Sequence, residues 1–323
     1  MEGIASIMKK SILNRFSTLI IVLLGVSILS FALISLSSAD PALTIAQQMT
    51  LNPTDEQIQN IRLELGLDQP VYKQYLSWLG GVLKGDFGTS YIDQNPVIEN
   101  LAEVFPNTLM IAMGSFTLIV ILIMIIGIVS VLFKDRWIDH MIRVLTIIGI
   151  CVPTFWLGFL LLIVFAVKIP LFDVVPNIKK VGFSAYVLPI MTLAFPYVCS
   201  GVRMFRGLLL NEYSSDYTTY LRARGATRLH ILVYHNLKNA MPPMITWFAS
   251  CAAGLLGGVA IIENVFSING VGAMLITAIN SGDSPTISFI VMMIAVAFVG
   301  LNVLADLINK IISPRYIGGR DDG

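Results

Sequence analysis

The chain has 323 residues, of which 56% are hydrophobic and only 13% are charged. Soluble domains carry about 25% charged residues, and here the deficit comes from long uncharged runs, which excludes an ordinary soluble globular protein. A formal net charge of +1 gives no reason to expect a nucleic-acid partner, so the placement of charge along the chain matters more than its sum.

Residues 16–37 form an uncharged run behind Lys9, Lys10 and Arg15. A spanning helix needs about 20 apolar residues. Ser37-Ser38-Ala39 resembles a signal-peptide cleavage site, but a signal core is only about 7–15 residues long, and the run is longer; a retained first span is expected. Residues 38–103 are polar. Thr54-Asp55-Glu56-Gln57 fits a capping box, in which hydroxyl and amide satisfy free N–H groups at a helix start. Ile58, Ile61 and Leu65 then share a face, and Gly66 suits a helix end. Asp68 and Pro70 suit the start of a second helix, with Tyr72, Tyr75, Leu76 and Leu79 on one side and Gly80-Gly81 after it. This region holds nine acids against three bases, which predicts an acidic helical domain outside the membrane.

Five further apolar runs follow: 104–133, 144–167 with Pro153, 184–202 with Pro189 and Pro196, 244–262 with Gly254, Gly257 and Gly258, and 286–305. Prolines inside a span free a carbonyl and bend the helix, either to line a cavity or to serve packing. The glycines permit close helix contact. With the N-terminus inside, the cytoplasmic segments hold fifteen Lys and Arg and the outer segments six. The positive-inside rule therefore puts both termini and the central loop in the cytoplasm. The expected architecture is an all-α integral membrane protein with six transmembrane helices. It comprises an N-terminal segment and first span (1–37), an extracellular helical domain (38–103), a five-span core (104–315) and a C-terminal tail (316–323).

The loop over residues 207–240 is far longer than the 2–8 residues that usually join neighbouring helices. It is basic and carries its own helical pattern, which suits a docking element as well as a loop that only fixes topology. No phosphate-binding loop of the form G-x-x-x-x-G-K-[S/T] occurs, so the chain is not expected to hydrolyse nucleotide. Cys151, Cys199 and Cys251 are isolated, and His140, His230 and His235 fall on cytoplasmic loops in this topology. No catalytic constellation and no metal site is expected. Glu263 and Asp306 lie near span ends, where an acid is either functional or hydrogen-bonded to a neighbouring helix.

Several stretches in order resemble the membrane permease subunits of binding-protein-dependent ABC importers, in the dipeptide/oligopeptide/nickel branch. They are Gly66-Leu67-Asp68-Gln69-Pro70, Gln74-Tyr75, Gly85-Asp86-Phe87-Gly88-Thr89-Ser90, Pro106-Asn107-Thr108-Leu109, Pro153-Thr154-Phe155-Trp156-Leu157-Gly158, the run Glu263-Asn264-Val265-Phe266-Ser267-Ile268-Asn269-Gly270-Val271-Gly272, and Pro314-Arg315. Asp216-Tyr217, Arg222-Ala223-Arg224-Gly225 and Leu237-Lys238-Asn239-Ala240 resemble the branch's coupling loop. Two departures stand out: Thr219-Tyr220-Leu221 replaces Glu-Ala-Ala, and Asn269 replaces a proline, which implies a looser outer turn.

The resemblance implies a non-enzymatic subunit of an ATP-driven importer in the cell membrane of a prokaryote, forming half of a pathway for peptides or metal chelates. It implies as partners a second, distinct permease, two cytoplasmic ATPases and an extracellular solute-binding protein. ATP would be used by the partners, and this chain would bind no cofactor. Glu212, Asp216, Tyr217, Arg222, Ala223, Arg224, Gly225 and Asn239 would couple to the ATPase. Thr154, Trp156, Tyr197, Glu263 and Asn264 are the pathway candidates. A self-sufficient secondary transporter or channel would instead show intramembrane ionisable groups or repeated broken helices, and a receptor or scaffold would have no use for a coupling loop.

Overall fold

A computed structural model describes residues 21–29, 31–32, 40–50 and 52–312, with the side chains of 48, 305–307 and 309–312 excepted. Half of the first apolar run, the side chain of Asp306 and the 316–323 tail lie outside the described residues. Those described are helical, with a single isolated bridge between Thr89 and Pro96. They fall into two compact units, one comprising Met1–Thr108 with Asn269–Val299, the other Leu109–Ile268 with Gly300–Gly323.

The first unit begins with helical residues 21–29 (α1), followed by α2 (Pro41–Met49), α3 (Asp55–Glu64) and α4 (Val71–Val82). The capping box at Thr54 forms in both directions: Thr54 N–H donates to Gln57 Oε1 at 2.9 Å, and Gln57 N–H donates to Thr54 Oγ1 at 3.3 Å. Gly66 takes the left-handed conformation after α3, with φ +65°. Arg62 of α3 pairs with Asp40, which caps α2, so one carboxylate joins the two helices.

The inner face of α4 differs from the expectation. Tyr75 and Trp78 turn inward, where Tyr75 shares a 2.9 Å hydrogen bond with Ser27 and both rings stack near Phe31. Tyr72 and Leu76 are instead 61% and 60% exposed. The helix also runs through Gly80-Gly81 rather than stopping before them, and Pro70, not Asp68, occupies its N-cap. Ser27 of α1 and Phe31 just after it decide the face, and period alone does not reveal them. Gly66, Gln69, Gln74, Asp86 and Gly88, drawn from three separated signature stretches, line one cavity of about 300 Å³ with Trp78 and Tyr91.

The same unit contains a helix absent from the expectation, α13 (Val271–Ser281), ended by Gly282 at φ +68°. Two signature stretches meet at its start. Asn107 Nδ2 donates to the Asn269 carbonyl at 2.6 Å, and Val271 N–H donates to Thr108 Oγ1 at 2.8 Å. The turn carrying Asn269 is therefore pinned, contrary to the looseness inferred from its missing proline. Asp283 then opens α14 (Ser284–Ile312). It is fully buried and accepts hydrogen bonds from the Ser90 and Thr286 hydroxyls at 2.6 and 2.8 Å. Tyr91, raised to about 12 by its own burial and then by the Asp283 carboxylate, stays protonated beside it.

The second unit is built from most of α5 (Val97–Leu132) together with α6 (Trp137–Cys151), α7 (Thr154–Leu162) and its π-helical extension Ile163–Lys168, α8 (Ile178–Val181), α9 (Ser184–Tyr213), α10 (Asp216–Ala223), α11 (Arg228–Ile231) and its π-helical continuation Leu232–Asn236, and α12 (Leu237–Val265). Of the apolar stretches long enough to cross a membrane, that in α9 has 67% of its residues buried, against 17–33% in the others. It is the hub against which α6, α7 and α12 pack. α6 and α7 together are apolar enough to cross a membrane and are bent by 100° at the break between them, as in a broken span or a re-entrant pair. Pro153 explains the break: its ring disfavours helix at the preceding residue, and Val152 is extended, with ψ 122°. Pro189 and Pro196 lie within a continuous α9.

Among the described residues four helices are long and apolar enough to cross a membrane, or five with the bent pair counted as one. They coincide with the second to sixth expected runs, and all but α9, which starts at Ser184 as expected, start earlier. Hence His140 lies in the first turns of α6, and His230 and His235 lie on the shaft leading into α12, outside the apolar runs themselves.

Candidate functional site

The loop between α9 and α12 folds as a helical bracket. α9 ends at Tyr213, and Ser215 starts α10 with its backbone already extended. Gly225, at φ +83°, reverses the chain after α10; a left-handed residue costs about 1–2 kcal/mol unless it is glycine. Thr227 then caps α11, its hydroxyl accepting from His230 N–H at 3.3 Å.

A polar cluster holds the bracket closed. Tyr217 donates its hydroxyl to Glu212 Oε2 at 2.7 Å, and Asn239 Nδ2 donates to the same oxygen at 3.1 Å. Thr218 and Ser215 hydroxyls donate to the Glu212 carbonyl at 3.0 and 2.6 Å. Asn236 is fully buried, with one end of its amide 3.1 Å from both the Tyr217 and Thr218 hydroxyls. Each of those hydroxyls already has an acceptor on Glu212. The cluster is best satisfied with the Asn236 NH₂ facing them, which leaves no buried N–H orphaned. Burial first, and then the Glu212 carboxylate, push the Tyr217 phenol above its ordinary value, so it remains a donor at neutral pH.

A second cluster ties the C-terminal part of α9 to its neighbours. Asp139 on α6 is fully buried and receives Arg206 in a two-point pair at 2.8 and 2.7 Å. Ser130 of α5 donates to the same carboxylate at 2.5 Å, and Asp135 N–H caps its other oxygen at 3.1 Å. Planar guanidinium–carboxylate pairing fixes orientation as well as distance.

The eight expected coupling residues thus divide. Glu212, Tyr217 and Asn239 are bonded to one another within the bracket. Arg222 folds back, donating to the Tyr213 carbonyl at 2.8 Å with its guanidinium 3.8 Å above the Tyr213 ring. Asp216, Ala223, Arg224 and Gly225 face outward. Sequence reasoning missed Asn236, Thr218 and Asp139. The Ser215-x-x-Thr218 spacing at a helix start was the available signal for Thr218, and nothing local announced the other two.

The pathway candidates lie on α7, α9 and the end of α12. Trp156 and Asn264 are exposed, and Thr154 and Tyr197 are half-buried. Asn264 donates to the Ala260 carbonyl at 3.0 Å. Glu263 is fully buried, and its backbone carbonyl accepts from Ile268 N–H at 2.8 Å across a turn in which Ser267 has φ +53°. Among the described residues no group of His, Cys, Asp or Glu is placed to hold a metal ion.

Apolar helices long enough to cross a membrane, packed around the buried α9, together with a helical bracket between α9 and α12, mark a membrane protein. The chain belongs to the binding-protein-dependent transport system inner membrane components. That family matches residues 120–318, and its N-terminal companion matches residues 8–112. It is 32% identical to the metal-staphylopine import system permease protein CntB of Staphylococcus aureus (strain NCTC 8325 / PS 47), covering 97% of this chain and 99% of that one. It is 31% identical to the probable D,D-dipeptide transport system permease protein DdpB of Escherichia coli (strain K12), over 94% of this chain and 96% of the other. The glutathione transport system permease protein GsiC of Salmonella paratyphi A (strain ATCC 9150 / SARB42) is 33% identical, over 94% and 98%. Among solved structures, an inward-facing MetNI methionine ABC transporter chain shares the fold, with TM-score 0.57 and 15% identity over 68% of this chain and 98% of that one. The protein is therefore an inner-membrane transport subunit of a prokaryotic ABC importer and not an enzyme; ATP hydrolysis belongs to separate subunits.

Proposed function

We propose that this chain forms half of a translocation pathway for peptides or metal chelates and receives the ATPase stroke through the α9–α12 bracket. The observation that carries the reading is the bracket itself: an internally bonded, exposed helix rooted directly in the most buried span, which is what transmitting force to the membrane requires. Relatives named for D,D-dipeptide, glutathione and metal-staphylopine transport support the cargo class. The partners we propose are a second, distinct permease, two cytoplasmic ATPases that use the ATP, and an extracellular binding protein. Thr154, Trp156, Tyr197 and Asn264 are proposed to touch cargo, with Glu263 shaping the turn beneath them.

The proposed topology has six spans with both termini in the cytoplasm. Single cysteines at positions 91 and 227, in a background lacking the native ones, test it: an impermeant reagent applied to intact cells is expected to label 91 and spare 227. Labelling of 227 from outside overturns the topology.

Coupling is tested at Gly225. A Cβ there meets nothing within 4 Å in this chain, but φ +83° strains any other residue by about 1–2 kcal/mol, so Gly225→Ala serves as the strain control and the loss beyond it in the tryptophan variant is the partner's steric block. Gly225→Trp is expected to insert normally, lose transport and retain less ATPase. Arg222→Glu acts in the same direction, by losing its hold on Tyr213 and by placing like charge against a partner carboxylate. Unchanged uptake in both variants contradicts coupling through α10.

A further inference from the structure

The exposed surface of the bracket does not end with α10. Leu229 on α11 and Tyr234 on the π-helical turn are 54% and 69% exposed, and Tyr220 on α10 is 61% exposed. The opposite face of the same shaft is closed, with Ile231, Leu232, Asn236 and Ala240 all buried. The exposed groups carry structure of their own: the His230 ring lies 4.8 Å from that of Tyr234, and the Arg224 guanidinium lies 5.6 Å from the Tyr220 ring.

Lipid does not explain this face. The helical path from Arg228 to Val265 has 38 residues, about 57 Å at 1.5 Å per residue, against a hydrocarbon core of about 30 Å. The charged residues before this span end at Lys238, so its uncharged run begins at Asn239, ten residues beyond Leu229 and five beyond Tyr234, about 15 Å and about 7.5 Å along the axis. The headgroup layer on one side accounts for only about 5–8 Å. Leu229 therefore stands in the aqueous phase, and Tyr234 at its boundary with the headgroups.

Charge selects the occupant. Arg224, Arg228 and Lys238 are exposed across this surface, opposed by Asp216, while the Glu212 carboxylate is bonded inward to Tyr217 and Asn239. A second permease would present a cytoplasmic loop that is itself basic by the positive-inside rule, and like charges would meet.

We propose that the ATPase docks on a second patch, Leu229 and Tyr234, in addition to α10, and that its complementary surface is an apolar pocket rimmed by carboxylates. The proposal rests on the coupling reading above and extends the footprint from one short helix to the shaft that leads into α12. Tyrosine anchors with flanking arginines are the side chains that most often dominate such contacts. The surface carries fewer carboxylates than a Glu-bearing coupling helix, consistent with Thr219-Tyr220-Leu221 standing where the wider superfamily has Glu-Ala-Ala.

The test places a photoreactive phenylalanine analogue at position 220 or 234 of the full chain, expressed in its native host, and sequences the adducts formed in intact membranes. Both positions are expected to cross-link to a chain bearing a G-x-x-x-x-G-K-[S/T] loop, with the 234 adduct in an acid-rich peptide. If 220 reaches that chain but 234 labels the other permease, lipid or nothing, the second patch is refuted and docking through α10 stands. If neither position reaches it, both readings fall. As an independent arm, Leu229→Ser with Tyr234→Ala is expected to weaken ATPase retention about tenfold or more. Tyr72→Ala, at an exposed site in the other unit, is expected to leave retention unchanged. Full retention by a normally inserted double variant overturns the proposal.

Discussion

Asp139 shows how much a single buried carboxylate carries. Its partners come from α5, α9 and the turn before α6, and its side chain has no exposure while that of Arg206 has 17%. Removing one member of a buried pair costs about 3–5 kcal/mol because the other charge is stranded, whereas replacing both with apolar groups can be neutral. Asp139→Ala is therefore expected to lower the thermal aggregation temperature of the purified protein in detergent, and Asp139→Leu with Arg206→Met to restore most of it. Equal losses in the single and double variants would show that the pair contributes orientation rather than charge compensation. None of this was legible in the sequence. Arg206 read as one more cation of a basic loop because its partner sits 67 residues away, and no periodic pattern links the two. Asp283 was missed for the same reason, its Ser90 partner lying 193 residues earlier.

Local signals transferred well to the elements. The capping box at Thr54, the stop at Gly66 and the break at Pro153 are decided by residues within a few positions, so the sequence contains the whole cause. The inward face of α4 and the existence of α13 depend on distant partners, and these the sequence reading missed or misjudged. Packing between α6 and α9 lies between these cases. Gly149 reads as an ordinary apolar-span glycine, yet a Cβ there would lie 2.3 Å from Cys199 Sγ and 3.0 Å from the Phe195 ring. Without a hydrophobic drive between helices in lipid, close backbone approach at small residues supplies much of the association. Gly149→Ala is expected to separate α6 from α9 and reduce thermal stability. Adding Cys199→Ala is expected to recover part of the loss, since it removes the nearest atom but leaves the Phe195 ring. A double-mutant cycle reads the coupling directly; strict additivity would mean that the two residues do not oppose one another.

At the scale of the whole molecule, the hydrophobic runs and the charge bias made the membrane class readable, because the bilayer imposes length and polarity on a chain whatever its fold. Cargo is less legible, since one chain supplies only part of a pathway. The side chains still constrain it. Holding a bare transition ion calls for imidazole or thiolate ligands. His140 is bonded at Nδ1 to the Arg136 carbonyl, and His230 and His235 meet edge to face 5.7 Å apart on the shaft that leads into α12. Cys199 and Cys251 are buried in α9 and α12, and Cys151 stands at the end of α6. Against these, the proposed contacts Thr154, Trp156, Tyr197 and Asn264 offer hydroxyl, indole and amide groups, which suit transient hydrogen bonds to a hydrated organic solute. If the cargo is a peptide-like compound or an intact metal chelate, this chain contributes no ligand to the metal. A variant with all three cysteines changed to serine and all three histidines to alanine is then expected to keep chelator-dependent metal uptake, provided it inserts and retains its ATPase as the parent does. Uptake measured with and without chelator decides the matter. Metal that enters without chelator in the parent and ceases to enter in that variant would mean that the pathway binds the bare ion.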